Sequence, residues 1–229
     1  MCNTHEIPDG KRSSLSYITI SSLMERFLED YEKSADTTRK QFDNRQRVFQ
    51  FFDFREQFYD KLPEKDKKYN NDSGVPVIMN ALVAWTQIYS FIKGSIEAAF
   101  NYRALTRDEY TDMEVMSRKR CRLDMEGRHF AYTIFEKYER FKETHFPGRR
   151  DEPDLVLEVF NRLQRFFSTG REIPRFSRVY IDEVQDLTQA EIAVLVQATM
   201  KNKDALFFAG GKVALTKCQQ SSLPCLHHH

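Results

Sequence analysis

The chain has 229 residues, enough for one large domain or two small ones, and its 41% hydrophobic share is enough for a real core. Lys plus Arg (35) nearly balance Asp plus Glu (34), so the net charge of +1 gives the whole chain no strong electrostatic footprint for nucleic acid or a membrane surface. No run approaches the roughly 18 apolar residues of a membrane span. The N-terminus lacks an apolar signal core, and Cys2, Cys121, Cys218 and Cys225 are scattered, a pattern that predicts reduced thiols in an intracellular protein, nuclear or cytoplasmic and not secreted.

In chain order, residues 1–15 are polar and read as a disordered tail. Ser16 to Ser21 reads as a short strand, and Leu23, Phe27 and Tyr31 follow at helical spacing from about Ser22 to Lys33. Phe51, Phe54 and Phe58 fall at i, i+3, i+7, a helical core stripe; single-strand binders stack bases on such rings, but the core reading fits the spacing better. Lys61 to Gly74 reads as a linker. Leu82, Trp85, Tyr89 and Ile92 share one helical face, with Trp85 as a core anchor. Thr106 and Glu109 have the spacing of a capping box. The basic run Arg118 to Arg122 reads as a solvated loop, with phosphate contact as the alternative. Further helices carry Ile134, Phe135, Tyr138 and Phe141, ending at Pro147-Gly148, and then Leu155, Val159 and Leu163.

Val179-Tyr180-Ile181 then leads straight into Asp182-Glu183-Val184-Gln185-Asp186, followed by a second capping box, Thr188 to Glu191. An apolar β-branched run ending in two acids looks like a buried parallel strand that delivers carboxylates to a sheet edge, where α/β proteins bind ligands. That placement suits a nucleoside triphosphate site, with Asp182 on Mg²⁺ and Glu183 orienting or deprotonating a water. A last strand, Ala205 to Ala209, ends at Gly210.

Asp-Glu-x-Gln-Asp followed by a capped helix resembles motif II of the UvrD/Rep-like superfamily 1 helicases. The segment Trp85 to Ser95, with Ile88, Lys93 and Gly94, resembles a branch of that family that includes the tetratricopeptide and ankyrin repeat-containing proteins and fungal relatives. The resemblance implies an α/β fold: a partial RecA-like P-loop NTPase parallel sheet (strands near 17–20, 179–183 and 205–209) with a large inserted helical subdomain. The implied division is RecA-like residues 16–36, a helical insertion 37–172, RecA-like residues 173–210, and an unrelated or disordered tail 211–229. It further implies ATP and Mg²⁺ as cofactors of a complete parent, Asp182 as metal ligand, Glu183 as catalytic base, and Gln185 and Asp186 as coupling residues. Thr19 and Ser21 would touch single-stranded nucleic acid, DNA ahead of RNA, although both also read as plain helix caps.

No Walker A loop, Gly-x-x-x-x-Gly-Lys-Ser/Thr, precedes the first strand, and Gly210-Gly211-Lys212 is no substitute because Val213 follows the Lys. The resemblance therefore implies a fragment that lacks Walker A and motifs III to VI and is inactive alone. The alternative is a non-catalytic protein-interaction module that uses the helical insertion for protein partners. A two-metal nuclease is disfavoured, because no further acids stand at a recognisable spacing. Cys218, Cys225 and His227 have poor spacing for structural zinc.

Overall fold

The computed structural model describes residues 19–34, 48–116, 121–168, 176–199 and 203–210. Helix α1, Ile20–Ser34, buries Leu23, Met24, Phe27 and Leu28 along one stripe. A short α2, Phe51–Asp53, continues as a π-helical turn, Phe54–Phe58, and a 3-10 turn, Tyr59–Lys61. Strands β1, Lys68–Asn70, and β2, Pro76–Ile78, form an antiparallel hairpin with Lys68 opposite Ile78. Then come α3, Ala81–Thr86, which runs on as a π-helical stretch, Gln87–Ile92, then α4, Ile96–Asn101, and α5, Arg107–Thr111. The long helices are α6, Met125–His145, and α7, Glu152–Ser168. Strand β3, Val179–Ile181, helix α8, Gln189–Ala198, and strand β4, Leu206–Phe208, complete the described elements.

Helix α7 packs against α1 on one side and α8 on another, and α4 fills the angle between α7 and α8. Helix α6 lies against the π-helical stretch after α3 and against β1. The centre of this helical body is aromatic. Phe54 lies 5.0 Å from Tyr138, 5.2 Å from Trp85 and 5.5 Å from Phe58, ring centre to ring centre. Edge-on and tilted contacts at this range are favourable for aromatic quadrupoles and add to the area these rings bury. Phe54 and Phe58 are buried, as their spacing predicts; Phe52, just before them, faces solvent.

The α/β expectation is corrected by the structure. The chain is mostly helical, and β3 and β4 form a two-stranded parallel sheet with Val179 opposite Leu206. No third strand joins them among the described residues, so a RecA-like sheet is not supported. The strand expected at 17–20 fails where it is described: Thr19 starts a helix, and Ile20 lies inside it. The Ser22 amide donates to Thr19 Oγ1 at 3.2 Å, and the 3.6-residue stripe from Leu23 to Leu28 outweighs the β propensity of a short Ile-Thr-Ile run. Residues 16–18 lie outside the described residues.

The expected linker is also ordered: Asn71 Oδ1 accepts from the Ser73 and Val75 amides, and Gly74 takes φ +75° to close the hairpin. Asp72 Oδ1 then accepts from the Glu126 amide at 3.0 Å and ties that hairpin loop to the start of α6. Leu82, expected on the buried face with Trp85 and Ile92, is 59% exposed.

Candidate functional site

The acidic turn is built on the carboxyl end of β3. The Ala209 amide donates to Ile181 O at 2.7 Å, and the Val184 amide donates back to Ala209 O at 3.1 Å. This stitches the turn to the end of β4, with Val184 buried as its anchor. Asp182, Glu183, Gln185 and Asp186 all face solvent around that anchor. Asp182 Oδ1 accepts from the Glu183 amide at 3.0 Å. Glu183 sits in the left-handed region, φ 52° and ψ 46°, a conformation costly for any residue with a Cβ. The Gln185 amide group donates to the Glu183 carboxylate.

The structure thus brings the four expected residues into one exposed turn. Thr19 is elsewhere engaged, its hydroxyl bonded at the start of α1, and Ser21 lies in the first turn of that helix. No group of three or more His, Cys, Asp or Glu side chains placed to hold a metal ion occurs among the described residues. Of the basic run, residues 118–120 lie outside the described residues and Arg122 is exposed. Residues 211–229, with both C-terminal cysteines and the His tail, lie outside them as well.

The segment Trp85 to Ser95 has a structural explanation. Trp85 joins the aromatic centre, and Ile88 and Ile92 are fully buried. The π-helical stretch bonds the Lys93 amide to Ile88 O, five residues back, and its wider turn carries the adjacent Ile92 and Lys93 both inside. Lys93 Nζ meets Asp154 at 2.6 Å, Glu139 at 2.7 Å and Asp151 at 2.8 Å. Lys142 Nζ meets Asp151 and Asp154 at 2.8 Å and Glu139 at 3.1 Å. Burial opposes charge on Lys93, but the three carboxylates hold its pKa well above the usual lysine value. Burial raises Asp151; at Asp154 burial is outweighed by Lys93 and Lys142, which hold that carboxyl low. The sequence reading missed this network, because its members lie up to 61 residues apart. The available signal was a lysine placed directly after a buried helical stripe.

Gly94 and Ser95 finish the segment. Ser95 Oγ caps α4 by accepting from the Ala98 amide at 3.2 Å. Gly94 O accepts from the Ala190 amide at 3.0 Å, the Ile96 amide donates to Gln189 Oε1 at 3.2 Å, and Tyr89 Oη donates to Glu191 Oε1 at 3.1 Å. The capped start of α8, just after the acidic turn, is therefore docked onto the helical body. The capping box is formed, with the Thr188 amide donating to Glu191 at 2.6 Å and the Glu191 amide donating to Thr188 Oγ1 at 3.2 Å.

One face of the β3–β4 pair is covered: Ile181 is buried, and Val179, Leu206 and Phe208 are half-buried against the core. The other carries Tyr180 and Phe207, stacked with ring centres 4.7 Å apart and planes at 17°. They are 63% and 42% exposed.

These features define a mostly helical protein with a small parallel sheet that presents an acidic turn and an open aromatic face. The chain is similar to TPR and ankyrin repeat-containing protein 1 of Homo sapiens, with 32% identity over 133 residues. The match covers 57% of this chain and 4% of that protein, so the chain spans only a small part of its relative. No family model matches the chain, and no solved structure matches it. The helicase resemblance is corrected by these findings: neither the fold nor a family match supports it, and the ATP-binding and hydrolase expectations fall with it. No helix among the described residues is long and apolar enough to cross a membrane.

Proposed function

We propose that this chain is a non-catalytic protein-interaction module. The observation that carries the reading is the stacked Tyr180–Phe207 pair, held open to solvent on a sheet whose opposite face is packed on the core. Aromatic side chains on a rigid support bury much apolar area at small entropic cost, and such residues dominate protein interfaces. The relative supports the reading by its name, since stacked repeats build extended binding surfaces. Other large apolar side chains, Phe52 and Leu82 on the helical body and Ile78 on the hairpin, are each about 60% exposed and would add contact area for protein partners. The buried free thiol of Cys121 suits an intracellular setting.

The test is proximity labelling in cells with the full chain, set beside its Tyr180→Ser/Phe207→Ser variant. A defined set of proteins labelled by the wild type and lost with the variant is the expected outcome. Calorimetry with Mg·ATP should show no binding. Labelling unchanged by the double substitution, or nucleotide turnover abolished by Glu183→Gln, would overturn the reading.

A further inference from the structure

The open sheet face also states what kind of partner fits it. This inference rests on the interaction-module reading and names its occupant. Parallel sheets are found almost only with both faces covered, and the elements that cover them are helices. Here the face opposite the core carries Tyr180 on β3 and Phe207 beside it on β4, and continuing the strand alternation one residue past each end of β3 places Arg178 and Asp182 at its edges. Arg178, Tyr180, Asp182 and Phe207 are all exposed. The face is therefore charged at both ends and aromatic in the middle, with positive charge at the start of β3 and negative charge at its end. Glu183, next to Asp182, reinforces the negative end.

We propose that this face docks an amphipathic helix of a protein partner, lying along the strands. Its apolar stripe covers Tyr180 and Phe207. A basic residue of the helix reaches Asp182 and Glu183, and an acidic one reaches Arg178. Arg178 and Asp182 are four strand steps apart, about 13 Å at roughly 3.3 Å per residue. A helix rises about 1.5 Å and turns about 100° per residue, so the partner's acidic and basic residues stand about seven or eight positions apart, roughly 11–12 Å along the axis and on the same side as the stripe. Apolar burial supplies the affinity, and the two end charges set the direction in which the helix lies.

The experiment uses a labelled helical peptide of roughly 20 residues, with an apolar stripe and a Glu and a Lys about seven positions apart on the edge of that stripe. Binding to the full chain is followed by fluorescence anisotropy. The double variant Tyr180→Ser/Phe207→Ser should lose binding at least tenfold. Arg178→Glu and Asp182→Lys should each weaken it about threefold to fivefold, the size of an exposed ion pair. The combined reversal, Arg178→Glu/Asp182→Lys with Glu183→Gln, should restore it, because the peptide can turn end for end. Circular dichroism confirms that each variant is folded.

No binding, binding indifferent to all three charge variants, or equal binding of a proline-interrupted peptide that cannot form a helix would overturn the proposal. If the peptide fails while proximity labelling still depends on Tyr180 and Phe207, the helical occupant is wrong and the interaction module stands. If that dependence is absent as well, both fall.

Discussion

Lys93 Nζ lies 2.8 Å from Asp151 Oδ2, and both side chains are buried. The bond joins the end of the π-helical stretch after α3 to the residue just before α7. Lys142 from α6 completes the bridge, so three separated parts of the helical body share one ionic cluster. Removing Lys93 leaves three carboxylates, one of them fully buried, to share the single charge of Lys142, a loss larger than the net worth of one pair. Lys93→Met should therefore destabilise the fold by about 3–5 kcal/mol. Urea unfolding followed by far-UV circular dichroism measures it; a loss below about 1 kcal/mol would show that the cluster is hydrated.

Gly94 stands where the body meets α8. A Cβ built there would come 2.1 Å from Tyr89 O and 2.9 Å from the Thr188 methyl group. The first contact is with backbone, which cannot swing aside. Gly94→Ala should cost several kcal/mol, at the severe end for single substitutions. Its effect should concentrate on the docking bond from the Ala190 amide to Gly94 O. Hydrogen exchange is the measurement: the Ala190 amide should lose protection more than the amides of α6.

Part of this architecture is written locally. Leu155, Val159 and Leu163 announce α7 by spacing alone, and all three are buried. Thr106 with Glu109, and Thr188 with Glu191, announce helix starts through a reciprocal pair of bonds that needs only four residues. The acidic turn at Asp182 is equally local, since a β-branched run followed by two acids dictates strand then turn. Most of what the sequence did not disclose is non-local. The run at Val179 signals a strand but not how many neighbours it has, and there the RecA-like expectation failed. Lys93 and Asp151 carry no mutual mark across 58 residues. The hairpin at Lys68–Ile78 was hidden because its turn chemistry, Asn71 to Gly74, reads equally well as a linker.

Glu109 gives a pH prediction. Its bond to Arg103, with lengths of 2.7 and 2.9 Å, is the main cause holding its pKa down at about 2; burial opposes this, and bonds from the Thr106 amide and hydroxyl assist. An acid whose folded pKa is depressed contributes stability above its unfolded value, near 4.5, and loses it as pH falls toward about 2. The Arg103 side chain is 49% exposed, so solvent screening keeps the contribution below about 1 kcal/mol. Glu109→Gln should flatten the stability profile between those two pH values and leave the profile above pH 5 parallel to the wild type. Denaturant midpoints across that range read the difference.

Glu183 makes the last case, because its backbone is in a conformation its side chain disfavours. At φ 52° the Cβ crowds the peptide group, a penalty of about 1 kcal/mol that glycine does not carry. Glycine also makes the unfolded chain more flexible, which offsets part of the gain. Glu183→Gly removes the exposed contact with Gln185, but at that solvent-facing position the loss is small. Glu183→Ala removes the same contact and keeps the Cβ. The difference between the two variants therefore isolates the backbone strain. The glycine variant should be more stable than the alanine variant by about 0.5–1 kcal/mol, a shift of roughly 1–4 °C in Tm for a chain of this size. Equal melting temperatures would mean that the turn relaxes freely and that no strain is stored beside Asp182.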